Sequence, residues 1–177
     1  MEVHQVLYTW KIFEAALDLC TVFLLKDAFA KNETYKNRLQ NLTKTAKWYH
    51  DFGEAYQSSF EYNATTADFI LTRTLYGLII VLVMASKTSE EKKAKQRDMD
   101  ALVRWIENVL TINKALGGVI KPDLTGLHHM AFYASAYIPG ALHTAAQVQY
   151  LLEGTDFELS QTALQEALKI LRVTAVK

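Results

Sequence analysis

Apolar residues through the first two-thirds of the chain recur at spacings near three and four, the period of a helix with one buried face. Val6, Trp10, Phe13, Leu17, Val22, Leu24 and Leu25 predict a first helix over about 3–30. Asn32 suits the N-cap of a second, with Glu33 near its positive end. In that helix Tyr35, Leu39, Leu42, Ala46 and Tyr49 keep to one face, which is expected to point inward. Gly53 is not expected to end it before about Phe60. Thr65 with Asp68 resembles a capping box, and the stretch TLYGLIIVLVMAS is apolar all round, so a third helix to about Ala85 is the most buried.

Thr88-Ser89-Glu90-Glu91 is a second capping signal. It opens a fourth helix with Leu102, Trp105, Ile106, Val109 and Leu110 inward, ended by Gly117-Gly118. The loop VIKPDLTG follows. A fifth helix is expected over about Leu127–Leu152, kinked at Pro139-Gly140, and a last one over Ser160–Val173. Both prolines and five of the seven glycines lie after residue 116, so little breaks helices before that point. No segment alternates like a strand. The pattern predicts an all-α fold, a bundle of about five to seven helices in a single domain spanning 1–177.

Composition narrows the function classes. Hydrophobic residues make up 50% of the chain, enough for a sizeable core. Lys plus Arg number 19 and Asp plus Glu also 19, so a nucleic-acid role would need a local patch rather than a basic excess. Neutrality also eases self-association. Cys20 is the one cysteine, in an apolar run, which leaves no intrachain disulfide and reads as a buried small hydrophobe. The first residues show no basic leader, and the apolar runs 74–86 and 130–152 are respectively too short and too polar to span a bilayer. These features lead to the expectation of a cytoplasmic protein without a membrane partner.

One short motif suggests chemistry. His50-Asp51, followed by Gly53, resembles the centre of the HD-type phosphohydrolase motif. The resemblance covers about five residues and implies a divalent metal held by imidazole and carboxylate, activating water. The competing reading is an ordinary amphipathic helix with His50 on its surface. His50 and Glu54, four residues apart, invite the same comparison with a surface hydrogen-bonded pair. His128-His129 looks like part of a helix start, with only one of the two facing any given point, and His143 reads as a core or interface histidine. No cofactor and no metal ligand set is expected.

The basic residues are more suggestive. Lys26, Lys31, Lys36, Arg38, Lys44 and Lys47 are opposed locally by Asp27 and Glu33 alone, and Lys36, Lys44 and Lys47 are expected to point outward. A second group, Lys87, Lys92, Lys93, Lys95 and Arg97, is interleaved with acids. A solvated helix face competes with phosphate contact through Lys31, Lys36, Arg38, Lys44 and Lys47. The sequence therefore favours a non-enzymatic helical subunit that packs on protein partners or on its own copies. A variant of that reading adds RNA or DNA backbone contacts, like the small helical subunits of CRISPR complexes in size and helix content. The HD-like hydrolase is the third reading.

Overall fold

The computed structural model describes residues 19–57, 67–113, 118–129, 131–132, 137–160, 165 and 169. In order these form α1 (19–29), α2 (Glu33–Tyr49), a 3-10 turn (Phe52–Tyr56), α3 (Ala67–Val83) and α4 (Ser89–Val109). A hairpin of β1 (Leu127–His128) and β2 (Ala131–Phe132) follows, then α5 (Tyr137–Leu152). The fold class is all-α, as the periodicity predicts. Contacts divide the chain into two units: residues up to Glu54 with Tyr76–Met99, and Ala55–Leu75 with Asp100 onward. Both α3 and α4 contribute one part to each unit. Among the described residues no helix is long and apolar enough to cross a membrane. The expected residues Val6, Trp10, Phe13, Leu17 and Thr65 lie outside the described set. So does most of 160–173, where Gln165 and Lys169 are helical.

In the first unit the starts of α2 and α4 are set by local chemistry. The Asn32 side chain accepts from the amides of Thr34 at 2.9 Å and Tyr35 at 3.4 Å, covering donors the helix cannot. Thr88 Oγ1 accepts from the Glu91 amide at 3.1 Å, while the Glu91 carboxylate accepts from the Thr88 amide at 3.0 Å: a reciprocal capping box. The amides of Thr88 and Lys87 hold the Glu91 carboxyl below its usual range. The end of α3 is apolar all round, and Leu78, Ile80 and Val81 are fully buried.

The inward face of α2 differs from the expected stripe. Thr43 and Ala46 are its buried residues, with His50 just beyond, whereas Tyr35 is 46% and Leu42 36% exposed. Lys36 and Lys47 are half-buried rather than outward; Lys44 is exposed. The cause is electrostatic. Asp98 has no exposure to water, and the Lys47 ammonium forms an ion pair with it. Arg97 Nη2 adds a contact at 3.1 Å. A buried carboxyl group needs such partners, so it fixes which side of α2 turns in, against the apolar count. Burial, with Arg97 alongside, lowers Lys47 to about 8.

α2 also ends earlier than expected. His50 is its C-cap and donates its amide to the Ala46 carbonyl at 2.9 Å. Asp51 follows with φ 50°, a left-handed position that stops the helix and that Asp tolerates better than most residues.

In the second unit the stripe is as expected, with Leu102, Trp105, Ile106 and Val109 of α4 and Leu110 just beyond it buried, but the helix ends at Val109 rather than at Gly117-Gly118. Ile138, Ala141, Leu142, Ala145, Val148 and Leu152 form the inward face of α5. Each fully buried Leu, Ile or Val contributes about 1.5–3 kcal/mol relative to exposure. The expected helix over Leu127–Leu152 is corrected at its start. Leu127–His128 and Ala131–Phe132 pair as the hairpin, with Leu127 opposite Phe132 and His128 opposite Ala131. Pro139 is then the third residue of α5 and marks a helix start rather than a kink. In the first turn its missing N–H costs no hydrogen bond. Gly154, at φ 71°, belongs to the turn after α5.

The Asp98 pair generates a stability prediction. Lys47→Met should destabilise the protein by about 3 kcal/mol, since it strips a cation from a buried carboxyl. Adding Asp98→Leu should recover most of that loss. Urea unfolding of both variants checks this; a single variant as stable as wild type would show that Asp98 does not depend on Lys47.

Candidate active site

Beyond α4 the chain of the second unit is held by short backbone bridges. Ile112 pairs with Ile120 in parallel, and Ile120 pairs with Gly126 antiparallel. The Asn113 amide donates to Ile120 O at 2.8 Å, and the Leu127 amide to Val119 O at 2.7 Å. Asp123 closes the intervening turn: its Oδ1 accepts from the Thr125 amide at 3.0 Å and the Thr125 hydroxyl at 2.6 Å. Gly126 is required where it stands, because a Cβ there would meet Ile138 at 2.6 Å. These contacts leave β1 little freedom, and β1 carries the first of two adjacent histidines.

His128 is buried, and its ring stacks on Tyr137, the first residue of α5, at 4.1 Å between centroids and 16°. His129 is exposed and meets His128 edge-on at 4.2 Å. Its φ of 50° is left-handed. A tight hairpin connection wants that conformation, but a side chain such as His adopts it at a cost of about 1–2 kcal/mol. Asn or Gly would adopt it at lower cost.

Asp68 completes the group. It sits in the first turn of α3, where a carboxylate is favoured, and is also buried. Its Oδ1 accepts from the Phe69 amide at 3.1 Å and lies 3.7 Å from Nδ1 of His128. That separation is too long for a direct hydrogen bond. Donor atoms of Asp68, His128 and His129 all fall within 4.8 Å of one another. Two ligands on a tetrahedral zinc stand about 3.3 Å apart, so this trio has the donor types and spacing to hold a divalent cation. Burial lowers the affinity of His128 for a proton; Asp68 opposes that and His129 reinforces it. His128 is therefore held neutral near pH 7, able to accept a proton or a metal.

The other sequence candidates do not join this group. His50 is buried, not superficial, with its ring 5.7 Å from those of Tyr49 and Tyr76, and Asp51 is exposed beyond the helix end. The HD pair thus spells a helix terminus, and its two side chains differ in surroundings because the backbone turns left-handed between them. His143 is exposed on α5 rather than in the core. Cys20 is half-buried. Lys31, Arg38 and Lys44 are exposed on or before α2 in the first unit, with Lys36 and Lys47 half-buried.

Sequence reasoning placed His128 and His129 on a helix and missed Asp68 as their neighbour. The signal was local: PDLTG is a turn, and a turn followed by two histidines before Pro139 leaves room for a hairpin.

The chain matches the family described as "Lyase, catalytic" over residues 14–175, nearly its whole length, and belongs to that family. Comparison with curated proteins found no match. The family points towards a catalytic domain and away from the assembly subunit that composition and charge favoured.

The depressed His128 has a consequence for stability. Its folded pKa lies below its unfolded value near 6.5, so the unfolded chain binds the extra proton first as pH falls. The stabilisation is present above about 6.5 and is lost as pH drops below it. The melting temperature should fall between about pH 7.5 and pH 5, and His128→Phe, which keeps a stacked ring, should flatten that fall. Equal slopes for the two proteins would remove His128 as the cause.

Proposed function

We propose that this chain catalyses an elimination, with the Asp68–His128–His129–Tyr137 group as its reacting centre. A lyase of this kind takes a proton from a carbon beside a carboxylate or carbonyl. The electron pair becomes a carbon–carbon double bond, and the substituent on the next carbon leaves with its bonding pair. Such a reaction needs an accessible base, a proton donor for the leaving atom, and groups that hold both in place.

His129 is the base in this reading, because it is the exposed imidazole and is presented on a strained turn. Tyr137 is the donor, a half-buried phenol in the same cluster. His128 and Asp68 are positioning residues. The stacked His128 ring sets the plane of Tyr137 and the approach of His129. A base and a donor on one cluster account for the proton taken and the proton given, so the step balances without a further reactant. The observation that carries the reading is this grouping, in a chain whose family is described as a lyase catalytic domain. The spacing of Asp68 and His128 beside the base favours one variant, in which a cation held by those two would steady the charge developing on the substrate carboxylate and leave His129 as the base.

The test uses carboxylates bearing a β-alkoxy leaving group, from small acids to polymers, and reads the ultraviolet absorbance of the new conjugated double bond. His129→Ala and Tyr137→Phe should each lower kcat by about 10²- to 10⁴-fold while leaving the unfolding midpoint within error. Unchanged turnover in His129→Ala would sink the assignment of the base. Loss of activity on chelation, restored by a divalent ion and absent in Asp68→Asn, would select the metal-assisted variant.

A further inference from the structure

The first unit contains a cavity of about 590 Å³ that the elimination chemistry does not use. Its walls bring together the two basic groups that are separate in sequence. Lys26, Lys36, Lys44 and Lys47 come from α1 and α2; Lys87, Lys95 and Arg97 come from the start of α4 and the residues before it. Two acids, Asp27 and Glu91, also line it, and Glu91 is committed to the amides of Lys87 and Thr88. Lys47 and Arg97 face the buried Asp98. Lys95 donates to the carbonyls of Leu82 at 2.8 Å and Met84 at 3.2 Å, at the end of α3. Lys36 pairs with Glu33 at 3.4 Å. Lys26, Lys44 and Lys87 have no carboxylate within ion-pair distance among the described residues.

We propose that this cavity binds a compact anion carrying two or more negative charges, of the phosphate or sulfate ester type. The charge is crowded on one concave surface, where the low-dielectric walls strengthen its field. Burial, with a smaller contribution from Arg97, lowers Lys47, and burial, with a smaller contribution from Lys26, lowers Lys95. A bound polyanion would relieve both. The volume suits a small ligand. An extended strand is the poorer fit, because Lys31 and Arg38, the other basic residues expected to contact phosphates, do not line the cavity. The inference stands apart from the lyase reading and survives its failure.

Calorimetric titration of the full chain with inorganic pyrophosphate at low salt tests it. One site per chain is expected, weakening as salt rises. Lys44→Gln with Lys87→Gln should weaken binding about tenfold or more without moving the urea midpoint, since Lys44 and Lys87 are exposed. Lys31→Gln with Arg38→Gln should leave it unchanged. Sulfate competing as well as phosphate supports the site and marks charge, not phosphorus, as what it reads. Absence of pyrophosphate binding at low salt overturns the proposal, as does equal loss in the two variant pairs. It is also overturned if single-stranded oligonucleotides bind more tightly with length and depend on Lys31 and Arg38, which would make α2 an extended nucleic-acid face.

Discussion

A carboxyl group removed from water costs several kcal/mol unless charge or hydrogen bonds replace the solvent. This chain buries Asp98 and Asp68, one in each unit, and much of the local arrangement follows from them. Asp98 draws in Lys47 and Arg97, and with Lys47 comes the orientation of α2. Asp68 stands at the start of α3 with one amide donor and His128 across from it. In the first case the partners are a lysine and an arginine, both cationic at neutral pH, and the outcome is structural. In the second it is an imidazole that burial keeps neutral, with an exposed histidine beside it, and the outcome is a cluster with the donor types for chemistry.

That contrast explains how far the sequence could be read. Caps are local, so Asn32 and the Thr88–Glu91 pair were legible from residues three apart. The face of α4 was legible because its apolar period is unopposed. The face of α2 was not. An apolar count ranks Tyr35 and Leu42 above Thr43 and Lys47, and only a buried acid far along the chain reverses that order. Two strands of two residues each cannot show alternation, so the hairpin of β1 and β2 stayed hidden behind a helical pattern that begins at Tyr137. The site went with it. Adjacent histidines on a helix diverge by about 100°, but across the end of β1 they meet edge-on.

The HD pair shows the reverse error. A dipeptide with a familiar spelling acquires meaning only from its backbone, and here that backbone is a helix end. Asp51 is left-handed, and so is His129, at nearly the same φ. The first serves to stop a helix and leads into a 3-10 turn. The second lies beside a buried histidine and a buried acid. Strain of similar size marks both positions; what surrounds each decides whether it serves the fold or the chemistry.

The division of labour between the two histidines follows from their burial. A base must reach substrate and must start neutral. Two imidazoles 4.2 Å apart disfavour double protonation, and burial already disfavours charge on His128. In the proposed elimination His128 would stay neutral and stacked while His129 takes the proton, so the platform under Tyr137 would keep its charge. An arrangement with both rings exposed would lose that asymmetry, and one with both buried would lose access. The left-handed turn after β1 separates the two environments within a single peptide unit.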